Sequence, residues 1–255
     1  MSDWNPSQYL KFGSERLRPA IELLERINIE NPQVIYDLGC GTGSITSILK
    51  EKWPAADVTG VDASPNMLEM TSAAHPEITW KQADLNTWEP DITPDLIYSN
   101  AAFQWTPDHN IVLPKLINTV KQNGVFAIQL PMNWNEPSHA SISEIARKPQ
   151  WQDRLEPYIM ENPVAEPSYY YDLLAPLCET IDMWETTYMQ VLTGDCPVLE
   201  WTKGTVLPPL LAQLTPIEQD EFINIYRERL DSYYIIKPND KTIFPFTRLF
   251  IIASK

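Results

Sequence analysis

The chain has 255 residues, 44% of them hydrophobic and 21% charged, with 19 Lys and Arg against 34 Asp and Glu. That length suits one large α/β domain or a domain with a sizeable appendage, and that composition excludes a disordered chain. The net charge of −15 repels nucleic-acid phosphate and anionic membranes at long range, so neither is expected as a partner.

In chain order, residues 14–30 come first. Leu17, Ile21, Leu24 and Ile27 recur there at helical spacing, interrupted near the start by Pro19. A short β-branched run, "VIYDL" (34–38), reads as the first strand and is followed by glycines and a helix-like stretch over 44–53. "VTGVD" (58–62) is a second strand, and 64–74 a helix with Ser64 as N-cap and Pro65 at its first position. "ITWKQAD" (78–84) and "DLIYSN" (95–100) read as strands, 108–120 as a helix irregular at Pro114, and "GVFAIQL" (124–130) as a fifth strand. This alternation predicts a doubly wound, Rossmann-like, mostly parallel α/β sheet of seven strands.

After Leu130 the rhythm breaks. Residues 131–183 are rich in Pro, Trp and Tyr, with short helices expected at 138–147 and 169–177. "WETTYMQVL" (184–192) and "TRLFIIAS" (247–254) read as the last two strands. The helical stretch between them is too long for a hairpin loop. The expected organisation is therefore a main domain of residues 1–192 with 247–255, and a helical substrate-side insertion, 193–246, that caps the substrate. Trp201 and the Tyr233–Tyr234 pair are expected in the insertion's own core.

The start, "MSDWNPSQYL", carries no basic region followed by an apolar run, and no segment approaches the ~20 apolar residues that span a bilayer. A cytoplasmic protein is expected. Cys40, Cys178 and Cys196 form no CxxC pair, and His75, His109 and His139 show no ligand spacing, so reduced thiols and no metal are expected.

The loop after the first strand reads Asp37, Leu38, Gly39, Cys40, Gly41, Thr42, Gly43. Its GxGxG spacing lacks the third glycine of a dinucleotide fingerprint and the lysine of a P-loop. Alternate glycines let the backbone approach a bulky ligand closely. An acid at the preceding strand end suits a cationic ligand, and S-adenosylmethionine carries both an ammonium and a sulfonium. Asp62, closing the second strand, is placed for ribose hydroxyls, and Asp84, closing the third, for an adenine amino group. Three acids at three successive strand ends make S-adenosyl-L-methionine the expected cofactor.

At this point the sequence resembles a known family. "DLGCGTG", "GVDASPNML", "QADLNTWEP" and "SNAAFQWTPDH" look like successive motifs of class I S-adenosylmethionine-dependent methyltransferases. The opening "SDWNPSQYLKFGSERLRPA", the stretches "QLPMNWNEPSH", "YYDLL" and "WETTYMQVL", and the ending "TRLFIIASK" resemble the trans-aconitate 2-methyltransferase family more closely still. The resemblance spans nearly the whole chain. It implies esterification of one carboxylate of trans-aconitate, and a cofactor site at Asp37, Gly39, Gly41, Gly43, Asp62, Ala63, Met67, Asp84, Leu85, Asn100 and Ala101.

A carboxylic acid is already ionised at neutral pH, its reference pKa being near ~4. No general base is then needed, and no catalytic proton-transfer residue is expected. Gln104 and Trp105 are candidates for orienting the substrate. Tyr9, Arg16, Trp134, Lys203, Arg227 and Arg248 are candidates for binding it, because arginine geometry suits carboxylate. The expected partner is a small anionic acid, with the chain a monomer or weak homodimer. Two alternatives stand beside this reading: methylation of a malonyl thioester or another small acid, and a non-catalytic module that binds S-adenosylmethionine.

Overall fold

In the computed structural model, residues 13–255 are described. A seven-stranded sheet forms, with strand order β3-β2-β1-β4-β5-β7-β6. The expected mostly parallel, doubly wound α/β sheet is present. Strands β1 (Val34–Leu38), β2 (Asp57–Asp62), β3 (Thr79–Gln82), β4 (Leu96–Asn100) and β5 (Val125–Pro131) are parallel, and β7 (Lys241–Ser254) returns antiparallel to β5. β6 (Thr180–Thr193) forms the far edge. Every residue of β1 and β5 is buried, as befits strands with sheet neighbours on both sides and helices over both faces.

Helix α1 is Gly13–Arg26, shorter than the expected 14–30, because the chain turns through Asn31 at φ 50 to enter β1. Helices α2 (Ser44–Lys52), α3 (Pro65–Ala74) and α4 (His109–Thr119) fall where the periodicity put them. Ser64 caps α3 by accepting the Met67 N–H, with Pro65 at the first position. Pro114 lies inside α4.

The last two strands are longer than expected, each 14 residues. The added part of β6, "TIDM", lies on an exposed edge where Asp182 is tolerated, so it lacks an apolar run. The added part of β7 contains Pro245, which reads as a breaker in sequence. It lies beyond the β5 register, which ends at Arg248, so its missing N–H costs no ladder bond on that side. The Glu179 N–H reaches Ser254 O at one end and Lys241 Nζ reaches Thr193 Oγ1 at the other, so β6 and β7 run antiparallel.

The chain divides into two compact units. One comprises residues 14–131, 164–185 and 248–255 and carries the parallel strands. The other comprises 132–163 and 186–247. This second unit is wider than the expected insertion, 193–246, since α5 (Pro137–Ala146) and α6 (Gln152–Leu155) share its core with α8 (Pro197–Lys203), α9 (Pro208–Leu211) and α10 (Pro216–Tyr233). Trp151 packs on Phe222, and Trp201 on Phe244 and Phe246. The Tyr226 hydroxyl donates to Ser138 O at 2.6 Å, and the Tyr234 hydroxyl accepts the Ser138 N–H at 3.2 Å. Of the expected core aromatics, Trp201 and Tyr234 are buried; Tyr233 is exposed, because its neighbour takes the inward face of the helix end. The helix α7 (Pro167–Leu174) belongs to the first unit. No helix among the described residues is long and apolar enough to cross a membrane.

Candidate active site

The site is built from the carboxyl ends of the parallel strands, beside the point where the order reverses between β1 and β4. Gly39, Gly41 and Gly43 all have positive φ, at 74°, 52° and 72°. A Cβ on Gly39 would lie 2.1 Å from that of Ala102, and one on Gly43 2.3 Å from Thr71 Cγ2 and 2.6 Å from the Trp80 ring. Around Gly41 a Cβ would meet nothing within 4 Å, so the backbone edge there is open. Two of the glycines seat the loop; the third leaves room for a ligand.

The loop's N–H groups decide what kind of ligand. Those of Gly39 and Cys40 donate to Val61 O at 2.7 and 3.1 Å, that of Gly41 to Asp62 Oδ2 at 2.8 Å, and that of Gly43 to Cys40 O at 2.9 Å. A phosphate cradle needs such groups aimed outward. Here the N–H groups of Gly39, Cys40, Gly41 and Gly43 are all spent inside the protein, which argues against this loop as a phosphate cradle.

Asp37 lies beneath the loop, 2% exposed, accepting a 2.6 Å hydrogen bond from Thr46 Oγ1. Burial pushes its carboxyl up to about 7, against the Thr46 hydrogen bond, and the charge of Asp62 adds to the rise. The same burial, with the charges of Asp37 and Asp62, raises the Cys40 thiol. Asp62 is half-buried and bridges the Gly41 and Ser64 N–H groups, both at 2.8 Å. Asp84 is exposed, in the turn two residues beyond β3, and its Oδ1 accepts from the Asn86 N–H and side-chain amide.

The β4 end is tied to β1 by Ser99 Oγ, which donates to Leu38 O at 2.7 Å. Beyond it, Ala101 adopts φ 52°, a conformation that a residue with a Cβ rarely holds, and its N–H donates to Gln129 O. Gln104 Nε2 donates to Ala101 O at 2.6 Å. The buried acceptors Asn100 Oδ1 and Gln104 Oε1 meet no donor among the described residues. The turn that holds Gln104, Phe103–Trp105, is anchored by His109. Its Nε2 bonds Phe103 O at 2.8 Å and its Nδ1 the Tyr170 hydroxyl at 2.8 Å, and burial holds its pKa below the usual histidine range. Leu85 and Met67 are buried, and Ala63 is half-buried.

Three carboxylates and two buried acceptors without donors suit a ligand that is cationic and rich in N–H and O–H groups. S-adenosylmethionine is such a ligand.

The expected substrate residues divide between the two units. Tyr9 lies outside the described residues. Arg16 is buried on α1 and Arg248 is buried on β7, both in the first unit. Trp134, Lys203 and Arg227 belong to the second. Lys203 pairs with Glu200 at 2.8 Å, and Arg227 with Asp195 and Asp231 on the helix surface. Trp134 is half-buried with its ring edge-on to His139, 5.2 Å between centroids. Trp105 is partly exposed and Gln104 buried.

A family model described as a methyltransferase domain matches residues 35–124, from β1 to the turn before β5. A protein named trans-aconitate 2-methyltransferase, from Escherichia coli O1:K1 / APEC, is 41% identical over 255 residues, covering 100% of this chain and 99% of its own. This chain belongs to the trans-aconitate 2-methyltransferase family. The family lies within the class I S-adenosylmethionine-dependent methyltransferases, and the chain is accordingly a methyltransferase. Solved structures share the fold at low identity. The YcgJ protein of Bacillus subtilis aligns with TM-score 0.60 at 15% identity, over 93% of this chain and 98% of that one. A phosphoethanolamine N-methyltransferase 2 of Haemonchus contortus, solved with S-adenosyl-L-methionine, aligns with TM-score 0.57 at 14% identity, over 96% of this chain and 56% of that one.

Several residues of the site carry no signal in a motif scan. Thr46 holds Asp37, Trp80 packs on Gly43 and Gly60, and Ala102 fills the space Gly39 leaves. Gln129 is the one such residue with a legible sign, a single amide in the otherwise apolar buried strand "VFAIQLP".

Proposed function

We propose that the protein transfers a methyl group to one carboxylate of a small polycarboxylic acid, trans-aconitate, giving its monomethyl ester. The observation that carries this reading is the 41% identity to a trans-aconitate 2-methyltransferase along the full chain, residues 132–247 included, well beyond the region matched by the methyltransferase-domain model. S-adenosylmethionine, when bound, supplies an electrophilic methyl group on a sulfonium. The chain's own part is to bind and orient. Gly39, Gly41 and Gly43 bring the backbone close to the cofactor, Asp62 takes ribose hydroxyls and Asp84 the adenine amino group. Ala63, Met67 and Leu85 provide apolar contact. Asn100 and Ala101, at the end of β4, meet the amino-acid portion of the cofactor, where the buried Asn100 Oδ1 offers an acceptor to its ammonium. Asp37 acts through its charge from below the loop.

No residue is assigned to proton transfer, because the substrate carboxylate is ionised above its reference pKa of ~4. Holding the reacting groups in line supplies on the order of 7–11 kcal/mol by itself. Gln104 and Trp105 orient the acid in this reading, with Arg16 and Arg248 the buried cations of the same unit. The surface pairs made by Lys203 and Arg227 speak against them as substrate ligands.

A methyl-transfer assay read by mass spectrometry tests the proposal. Trans-aconitate, its cis isomer, citrate, isocitrate and a malonyl thioester are offered with S-adenosylmethionine. A mass gain of one methylene on trans-aconitate is expected. Product on the malonyl thioester alone would replace this reading, and cofactor binding with no product on any acid would favour a binding module.

A further inference from the structure

Gln129 is the one polar side chain in the fully buried strand β5, and it is 1% exposed. Its strand lies between β4 and β7, with Asn100 and Phe250 as its direct register partners. Arg248 pairs in register with Pro131, two residues from Gln129 along β5. Because side chains alternate along a strand, Gln129, Phe250 and Arg248 share one face of the sheet. Arg248 Nη1 lies 3.5 Å from Gln129 Oε1. The contact is long, but it decides the orientation of the amide, since the opposite flip would set N–H groups against each other. Nε2 therefore points away from the guanidinium, and this buried donor meets no acceptor among the described residues.

A buried donor of this kind is uncommon in a folded core and calls for an explanation. It sits beside a buried positive charge, at the same strand ends that carry the cofactor loop and Asn100. An anionic acceptor answers this donor, and in a site shielded from water the neighbouring positive charge adds to the attraction with little competition from solvent.

We propose that Gln129 and Arg248 together form a carboxylate-binding pair that orients the acid substrate, Gln129 through its Nε2 and Arg248 through its charge. The inference rests on the small-acid reading above and adds to it the residue that sets specificity for a carboxylate.

The test uses the full chain and its Q129L and Q129E variants. The KM and kcat for trans-aconitate are measured beside the Kd for S-adenosylhomocysteine by calorimetry. Replacing a hydrogen bond to a charged group predicts a rise in KM for the acid of about 10- to 100-fold in Q129L. The Kd for S-adenosylhomocysteine is expected to stay within about twofold, since the acid-lined part of the site is untouched. Q129E keeps the size of the side chain but sets a negative charge beside Arg248, and is expected to raise KM at least as far. Unchanged KM in both variants would overturn the proposal. So would equal loss of acid and cofactor affinity, which marks a purely structural role. Wild-type protein that binds S-adenosylhomocysteine but does not methylate trans-aconitate would remove the underlying reading, and the inference with it.

Discussion

The two halves of the sheet carry opposite chemistry. From β1 to β3 the strand ends present acids: Asp37 under the loop, Asp62 bonded to the Gly41 and Ser64 N–H groups, and Asp84 in the turn beyond. From β4 through β5 to β7 they present amides and a buried guanidinium: Asn100, Gln129 and Arg248. The proposed methyl transfer from a sulfonium to a carboxylate would bring a cation and an anion together, and in that reading the acids face the first and the Gln129–Arg248 side the second. The comparison also separates two ways of holding a ligand. The acids of the first half use their hydrogen bonds within the protein, whereas Asn100 Oδ1 and Gln129 Nε2 in the other half are buried and meet no partner among the described residues.

In the proposed reading, variants of the first half and of Asn100 are expected to alter cofactor affinity, and those of Gln129 and Arg248 acid affinity. The largest effect is expected for Gly39→Val. Its Cβ would lie 2.1 Å from that of Ala102, at a φ that a β-branched residue resists. Binding of S-adenosylhomocysteine should be lost, with destabilisation on the order of 2–4 kcal/mol by chemical denaturation. Retained binding would mean that the loop does not need its close seat on Ala102.

Asp62→Ala comes next. It removes the acceptor for the Gly41 and Ser64 N–H groups. Losing one charge-assisted hydrogen bond to a ribose hydroxyl, worth about 1.5–3 kcal/mol, predicts a rise in cofactor Kd of about 10- to 100-fold. The KM for the acid should hardly move if the two halves are independent. A parallel rise in both would break the comparison.

Asp37 sharpens it through pH. Its folded-state carboxyl is raised to about 7 from an ordinary 3.8, with burial as the main cause. The folded protein therefore keeps a proton that the unfolded chain has lost, and stability from this group falls as pH rises from about 4 to 7, then levels off. The difference is on the order of 4 kcal/mol. Without ligand, Asp37→Asn should flatten that slope and raise the Tm at pH 8 by about 5 °C or more. In the wild type, affinity for the cationic cofactor should increase as pH rises through 7, because the ionised carboxylate is the form that attracts it. Titration calorimetry at pH 6 and 8 reads both signs. A flat profile in the wild type would show that Asp37 stays ionised.

The smallest effect belongs to Arg227→Gln. The side chain is exposed and paired on the helix surface with Asp195 and Asp231. Stability should change by less than about 1 kcal/mol, with KM unaltered. A tenfold rise in KM for trans-aconitate would return this arginine to the site.

The acid half was open to a reader of the sequence because its parts are local. A strand, a glycine run and a following helix sit within 19 residues, from Val34 to Lys52, and Asp62 ends the next strand. The expected strand over 34–38 matches residue for residue, and Ser64 with Pro65 starts α3 as capping rules require. The other half was not legible in this way. Gln129 and Arg248 are 119 residues apart and meet only because β7 returns antiparallel beside β5. The extra lengths of β6 and β7 escaped for the same reason, since an exposed edge and a proline outside the ladder leave no apolar alternation to read.

By itself, the sequence determined the α/β class, the order of its elements, the glycine loop and the acids at three strand ends. These depend on backbone propensity, periodicity and turn chemistry, which act over a few residues at a time. Tertiary structure alone decided that the N–H groups of Gly39, Cys40, Gly41 and Gly43 bond within the protein, that Asp37 is buried beneath them, and that Arg16 and Arg248 are the buried ones among the candidate arginines. Those outcomes depend on burial and on the pairing of distant strands, and one residue's place in sequence does not record what the fold will set against it.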